Sequence, residues 1–196
     1  MGQYSEAFEK AMSHCMLYEV GGWWDVNHPA VAQGLIDTRA NRTAVGYTVD
    51  PTDAGGETKF GVAKNANTDL DITRLGWEQA KAVYFKRYWL AASCNKLNGR
   101  VAALHFDGAV NHGVSRANIF LQRAAGVGAD GVIGAISLAK ISTIDPFVLC
   151  ASICTQREQY YRAIVANKPA QGKYLNGWLR RIAEMRAFVL DHNTTF

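Results

Sequence analysis

Long apolar runs are missing from this chain of 196 residues. No stretch reaches the ~18–20 residues that a membrane-spanning helix needs, so stable membrane insertion is not expected. The first sixteen residues lack the basic start and apolar middle of a secretory leader and pattern instead as an amphipathic helix. Synthesis in the cytoplasm without a signal peptide is therefore expected. Cysteine is scarce, with Cys15, Cys94, Cys150 and Cys154 only. The last pair, four residues apart on a helix face, is poorly placed for a bridge. No further Cys or His lies at zinc-motif spacing, and HExxH, HxxxE and HxH patterns are absent. The cysteines are expected to be small buried hydrophobes, with no metal and no cofactor. Internal repeats and low-complexity tracts are absent too.

What is present fits a folded protein. Hydrophobic residues make up 48% and the net charge is only +4, which excludes disorder. The length suits one domain or two small ones packed together. Charge is uneven: residues 1–98 carry 10 basic and 11 acidic side chains, residues 99–196 carry 11 and 6. A basic C-terminal half favours an anionic polymer or surface, with nucleic acid, anionic lipid and bacterial wall all fitting.

Helical periodicity divides the chain. Residues 4–18 place Phe8, Met12, Cys15 and Met16 on one stripe. From Gly21 to Thr73 the period disappears among Gly, Pro, Asn, Asp and Thr, leaving short β-prone pieces at 45–49 and 58–62. So long an irregular stretch in a compact protein is often functional. Helical spacing returns near Gly76 and runs to about Leu90. Further helices are predicted over 100–112, from Ser115 as N-cap to Gly126, over 136–144, from Asp145-Pro146 to about 166, and over 176–191, with a loop at 168–173. The pattern predicts a mainly α fold (α+β) with a small β-hairpin element. Residues 126–131, Gly-Val-Gly-Ala-Asp-Gly, match a dinucleotide fingerprint literally, but they follow a helix instead of a strand and read as a helix stop and a turn. His105 and His112, with Asp107 between them, read as structural, since a catalytic zinc would need a third ligand.

The informative residues are Tyr18-Glu19-Val20-Gly21-Gly22-Trp23-Trp24 and Val49-Asp50-Pro51-Thr52-Asp53-Ala54-Gly55-Gly56-Glu57-Thr58-Lys59-Phe60-Gly61. Glu19 sits at the end of an apolar helix, and apolar neighbours favour a carboxyl that holds its proton near neutrality. Asp53 and Thr58 lie on a polar, Gly-rich turn. One protonated acid with one ionised carboxylate is the pairing that glycosidic cleavage uses. The plain alternative is a capping or salt-bridging Glu19 beside an ordinary turn.

Together these elements resemble the N-terminal signature of the glycoside hydrolase family 108 N-acetylmuramidases, lysozyme-like enzymes that include many phage endolysins. Tyr84-Phe85-Lys86-Arg87-Tyr88-Trp89 is similar to the YxxxYW that follows in the family. The C-terminal half resembles the family's predicted peptidoglycan domain in residues 106–113 (Phe-Asp-Gly-Ala-Val-Asn-His-Gly), in Leu121-Gln122-Arg123, in Asp130-Gly131-Val132-Ile133-Gly134 and in Asn176-Gly177-Trp178-Leu179-Arg180-Arg181. Two differences stand out: Val20 separates Glu19 from the glycine pair, and residues 24–46 read as an insertion.

The resemblance implies a lysozyme-like catalytic region over 1–95 and a helical peptidoglycan-binding subdomain over 96–196. It implies Glu19 as general acid, with Asp53 polarising and Thr58 orienting a water for single-displacement inversion. Glu57 is the runner-up for the second carboxylate and Asp50 a weaker one. Asn111 and His112 are candidates for sugar N-acetyl groups or for helix capping. Tyr47 and Trp178 are candidate stacking platforms for a pyranose, or core residues. Arg180, Arg181 and Arg186 read as a solvated helix face that an anionic wall could attract. The implied partner is the peptidoglycan glycan strand and not nucleic acid, acted on by a monomer in the periplasm after release by a separate holin, with host lysis as the outcome. Three rivals stay open: a lytic transglycosylase using the same Glu19, a non-catalytic wall-binding or virion-associated protein, and a zinc amidase or endopeptidase.

Overall fold

A computed structural model of the chain describes residues 4–21, 24–50 and 55–196. It is mainly α with one small antiparallel hairpin, as the pattern predicts. Helix α1 (Glu6–Glu19) buries Phe8, Met12, Cys15 and Met16, the expected stripe. The stretch after Gly21, predicted to lack helix, holds two short ones, α2 (Pro29–Gln33) and α3 (Arg39–Ala44). Both are under two turns, too short for a period to show, and their signals are local. Pro29 occupies the first helical position of α2 while His28 Nδ1 accepts from the Ala30 N–H at 3.1 Å. Thr38 Oγ1 caps α3 by accepting from the Asn41 N–H at 3.1 Å.

Strands β1 (Thr58–Lys59) and β2 (Val62–Ala63) pair antiparallel, Thr58 opposite Ala63 and Lys59 opposite Val62, and Thr48 bridges Thr58 on the other side. The connecting loop is Phe60-Gly61, with φ of +52° and +73°. A two-residue hairpin of the I′ kind needs both residues left-handed. Glycine adopts this freely, whereas a bulky residue such as Phe60 is strained there. Surrounding contacts hold it. Its ring is fully buried, 5.6 Å from Trp77 and 6.2 Å from Trp24. Its N–H donates to Val45 O at 2.8 Å, and its carbonyl accepts from Tyr84 Oη at 3.1 Å.

Lys59 ties in the 24–46 segment. Its side chain is fully buried, and Nζ donates to the carbonyls of Gly34 (2.6 Å) and Thr73 (2.9 Å). Desolvation pushes its pKa down. With Ala30, Val31 and Val45 also fully buried, the segment packs onto the hairpin. Helix α4 (Trp77–Tyr84) follows and widens into a π turn over Phe85–Leu90.

The chain divides into two compact units, Met12–Arg87 and Met1–Ala11 with Tyr88–Phe196. The second unit is helical: α5 (Gly99–His112), α6 (Val114–Ala125), α7 (Ala135–Ile141), α8 (Pro146–Asn167) and α9 (Gly172–Leu190). Phe8 belongs to it, meeting Trp89 and Phe106 edge-on with ring centroids 5.3 and 5.7 Å away. Gly126 ends α6 in the left-handed conformation (φ +69°), which confirms residues 126–131 as a helix stop. Asp145 opens α8 as predicted, accepting from the N–H groups of Phe147 and Val148.

Two expectations need correction. Helix α6 starts from Gly113 (φ +82°) and not from Ser115, because the glycine can turn the chain directly out of α5. The 168–173 loop contracts to a 3₁₀ turn, Pro169–Gln171, and α9 begins at Gly172, since nothing in Lys173–Leu175 opposes helix. All four cysteines are buried thiols, and burial pushes those of Cys150 and Cys154 up to about 12 and about 11. Among the described residues no single helix is long and apolar enough to cross a membrane.

Candidate active site

Glu19 is the last residue of α1 and is half-buried. A carboxylate at the negative end of a helix dipole does nothing for helix stability, so its presence there calls for another reason. The hairpin loop comes directly to it. A Cβ placed on Gly61 would lie 3.1 Å from Glu19 Cβ, 3.4 Å from Glu19 Oε2 and 2.3 Å from Tyr84 Oη. Only hydrogen fits there, and Gly61 also needs its positive φ. Glycine thus lets backbone approach the carboxyl, and Tyr84, one residue the sequence reading passed over, completes the corner. Its sequence signals were its place in the Tyr84–Trp89 motif and on the apolar stripe of that helix. Val20, the residue between Glu19 and the glycine pair, is a core residue: a Cβ on Gly46 would sit 3.2 Å from Val20 Cγ1. Gly21 then leaves the helix with φ of +89°.

The same unit gathers three more candidates. Thr58 exchanges backbone hydrogen bonds with Thr48, both at 2.9 Å, and its Oγ1 donates to Gly56 O at 3.3 Å. Tyr47 Oη donates to Glu57 Oε1 at 2.6 Å. That bond raises the pKa of Tyr47, and Glu57 is thereby engaged as an acceptor. Tyr47 is half-buried and tethered by its hydroxyl. Asp53 lies outside the described residues.

Asn111, His112 and Trp178 belong to the other unit, around a buried ion cluster. Asp107, on α5, accepts from Arg157 Nη2 (2.7 Å) and from Arg181 Nε (2.9 Å) and Nη2 (2.8 Å). Burial alone would raise its carboxyl pKa; Arg181 and Arg157 outweigh this and hold it below the usual carboxylate range. Arg157 Nε donates to His112 Nε2 at 3.2 Å, Tyr161 Oη donates to Asn111 Oδ1, and Trp178 stacks on Tyr161 at 4.7 Å and 16°. Burial, with Arg157 nearby, pushes the His112 pKa down to about 3. His105 is buried one layer deeper, its Nε2 within 3.1 Å of Ala92 O and 3.0 Å of Asn118 Oδ1, and burial lowers its pKa to about 4.

The expected solvated arginine face is only partly that. Arg181 is 9% exposed in its side chain, drawn in by the Asp107 charge, and Arg186 pairs with Glu158 at 2.7 Å. Arg180 stays exposed beside Glu184. No sequence period separates an arginine that pairs inward from one that is solvated. Among the described residues no three His, Cys, Asp or Glu side chains gather as metal ligands.

The site thus sets a helix-ending glutamate against a glycine hairpin in a mainly α frame. The solved structure of Brucella abortus SagA is similar over 96% of both chains, with a TM-score of 0.70 and 23% identity, and establishes the fold. Residues 43–113 match the family model Glycosyl hydrolase 108, and residues 116–183 match the model Predicted Peptidoglycan domain. No curated protein matches. A glycosyl hydrolase 108 match followed by a peptidoglycan-domain match supports a glycosidase that acts on peptidoglycan. Glu19 precedes the matched stretch, so its assignment rests on its place against Gly61.

Proposed function

We propose that the chain is an N-acetylmuramidase, hydrolysing the β-1,4 bond between N-acetylmuramic acid and N-acetylglucosamine. The observation that carries this reading is the seating of the Glu19 carboxyl against Gly61, in the loop of the hairpin that holds Thr58. Glu19 acts as general acid on the glycosidic oxygen. Thr58 orients the attacking water, and Asp53 polarises it; Glu57, engaged by Tyr47, is the alternative second carboxylate. Tyr47 joins Asn111, His112 and Trp178 as substrate contacts. By the same reading the enzyme is a phage endolysin, a monomer that needs no cofactor, reaches the wall through a holin and lyses its host.

Digestion of purified Gram-negative peptidoglycan by wild type and Glu19→Gln, with products read by mass spectrometry, tests this. Reducing muramic ends from wild type alone are expected. Anhydromuramic ends would make the enzyme a lytic transglycosylase, and intact glycan with cut stems would remove the glycosidic reading of Glu19.

A further inference from the structure

In the ion cluster of the helical unit Arg157 has a donor left over. A guanidinium carries five N–H groups and no acceptor. Facing Arg157 are the Asp107 carboxylate and His112 Nε2, and its Nη1 is buried with no partner among the described residues. The surplus sets the orientation of everything above it. Arg157 Nε can only donate, so His112 Nε2 is the bare nitrogen and the neutral ring carries its proton on Nδ1. Tyr161 Oη also lies 3.4 Å from His112 Nε2, but with Arg157 engaging that nitrogen the Tyr161 proton goes to Asn111 Oδ1, so the Asn111 amide nitrogen faces away from Tyr161. Among the described residues neither His112 Nδ1 nor Asn111 Nδ2 has a hydrogen-bond partner, and both side chains are half-buried at the end of α5. Two neighbouring residues thus each keep one unengaged donor.

Aromatic surface adjoins them. Tyr161 carries Trp178 flat against its ring, and Tyr160 meets His112 edge-on at 5.6 Å. Trp178 and Tyr160 in turn line an open groove of about 550 Å³ with Asn167, Lys168 and Gln171. Paired donors beside an aromatic wall match a ligand with a strong carbonyl acceptor next to an apolar C–H face. We propose that Asn111 and His112 bind the acetamido carbonyl of an N-acetylated sugar lying along Trp178 and Tyr160, with Asp107, Arg157 and Arg181 as positioning residues that fix the His112 tautomer. This rests on the peptidoglycan-glycan reading above and gives the helical unit a saccharide subsite of its own.

The test is imidazole and side-chain amide NMR on the full-length Glu19→Gln chain, titrated with the N-acetylglucosamine trimer. The free protein should show His112 protonated on Nδ1 and bare at Nε2. The trimer should shift His112 Nδ1 and Asn111 Nδ2, while the glucosamine trimer, which lacks the acyl group, should not. His112→Gln, which keeps an acceptor for Arg157 but loses the outward donor, should weaken binding about tenfold, as should Asn111→Asp. His112→Asn, whose amide nitrogen falls near Nδ1, should retain most of the affinity. A His112 protonated on Nε2 overturns the proposal, and so does a stem tetrapeptide that shifts these signals where the trimer does not. If the trimer leaves both residues unmoved while wild type still yields reducing muramic ends, the subsite alone is wrong. If the trimer shifts both and wild type cleaves no glycan, the muramidase reading fails and the subsite stands.

Discussion

The two units are held in shape by opposite means. Residues Met12–Arg87 keep their form through backbone exceptions: two left-handed residues in a hairpin loop, a buried lysine on two carbonyls, and glycines that admit a carboxyl and a valine. The helical unit keeps its form through regular elements around one buried carboxylate and two guanidiniums. Exceptions of the first kind place a reactive group precisely at a cost in stability, while the second arrangement gives a stiff platform. Chemistry and stability should therefore separate on mutation, and the separation can be measured.

The largest effect should fall on Glu19. Glu19→Gln is expected to lower kcat on peptidoglycan by roughly 10²–10⁴, the usual worth of a positioned proton donor, with the melting temperature unchanged. Gly61→Ala should reach much the same rate without touching a titratable group. Its methyl would lie 2.3 Å from Tyr84 Oη, which must shift, and 3.1 Å from Glu19 Cβ, which must give by a few tenths of an ångström, so the corner that seats the carboxyl is disturbed, and a misplacement near 1 Å costs about 10²-fold. A Gly61→Ala enzyme of wild-type rate would show that Glu19 and the hairpin loop are not coupled.

That coupling was only half legible in the sequence. The helical unit could be read from its period: α5 and α8 fall where spacing puts them, α8 opening at Asp145, and α6 stops at Gly126 as expected although it starts at Gly113. In the other unit the motif named Glu19, Thr58 and Gly61 without saying what Gly61 is for, since a φ of +73° and a contact with Glu19 belong to the tertiary fold. Lys59 stood in the β-prone piece 58–62 with nothing to mark it as fully buried. Arg181 read as surface because a helix period reports which residues share a face and cannot see the partner, Asp107, in another helix. Short helices α2 and α3 left no period at all.

Stability loss should be greatest in the helical unit. Asp107→Asn keeps the shape but strips two buried guanidiniums of their counter-charge, which should cost about 3–5 kcal/mol. At ~2–4 °C per kcal/mol for a chain of this size, the melting temperature should drop by roughly 10 °C. A drop of only a degree or two would mean that water already pairs the arginines. Lys59→Met should cost less, about 1–3 kcal/mol, because it removes a desolvated charge while leaving the carbonyls of Gly34 and Thr73 without a donor. Limited proteolysis should then cut within residues 24–46 before any helix of the other unit, and cleavage elsewhere first would contradict the tie.

The smallest effect is graded and comes from acid. His105 and His112 fold neutral, with pKa values pushed down to about 4 and about 3, against about 6.5 in an unfolded chain. Between those values the unfolded state takes up protons that the folded state refuses, so stability falls as pH drops from about 6.5 toward 4. Each histidine contributes at most about 1.4 kcal/mol per pH unit, and half-exposed His112 contributes less. Asp107 starts to lose its contribution as the unfolded carboxyl protonates near pH 4, so it enters only at the acid end of this window. Melting temperatures taken at pH 7, 6, 5 and 4 should decline steadily, and His105→Gln should flatten the decline, since glutamine does not titrate. Amide exchange would locate the loss: protection should weaken first in α5 and α8 while hairpin amides hold. The reverse order would mean that the irregular unit, and not the ion-centred one, is the first to yield to acid.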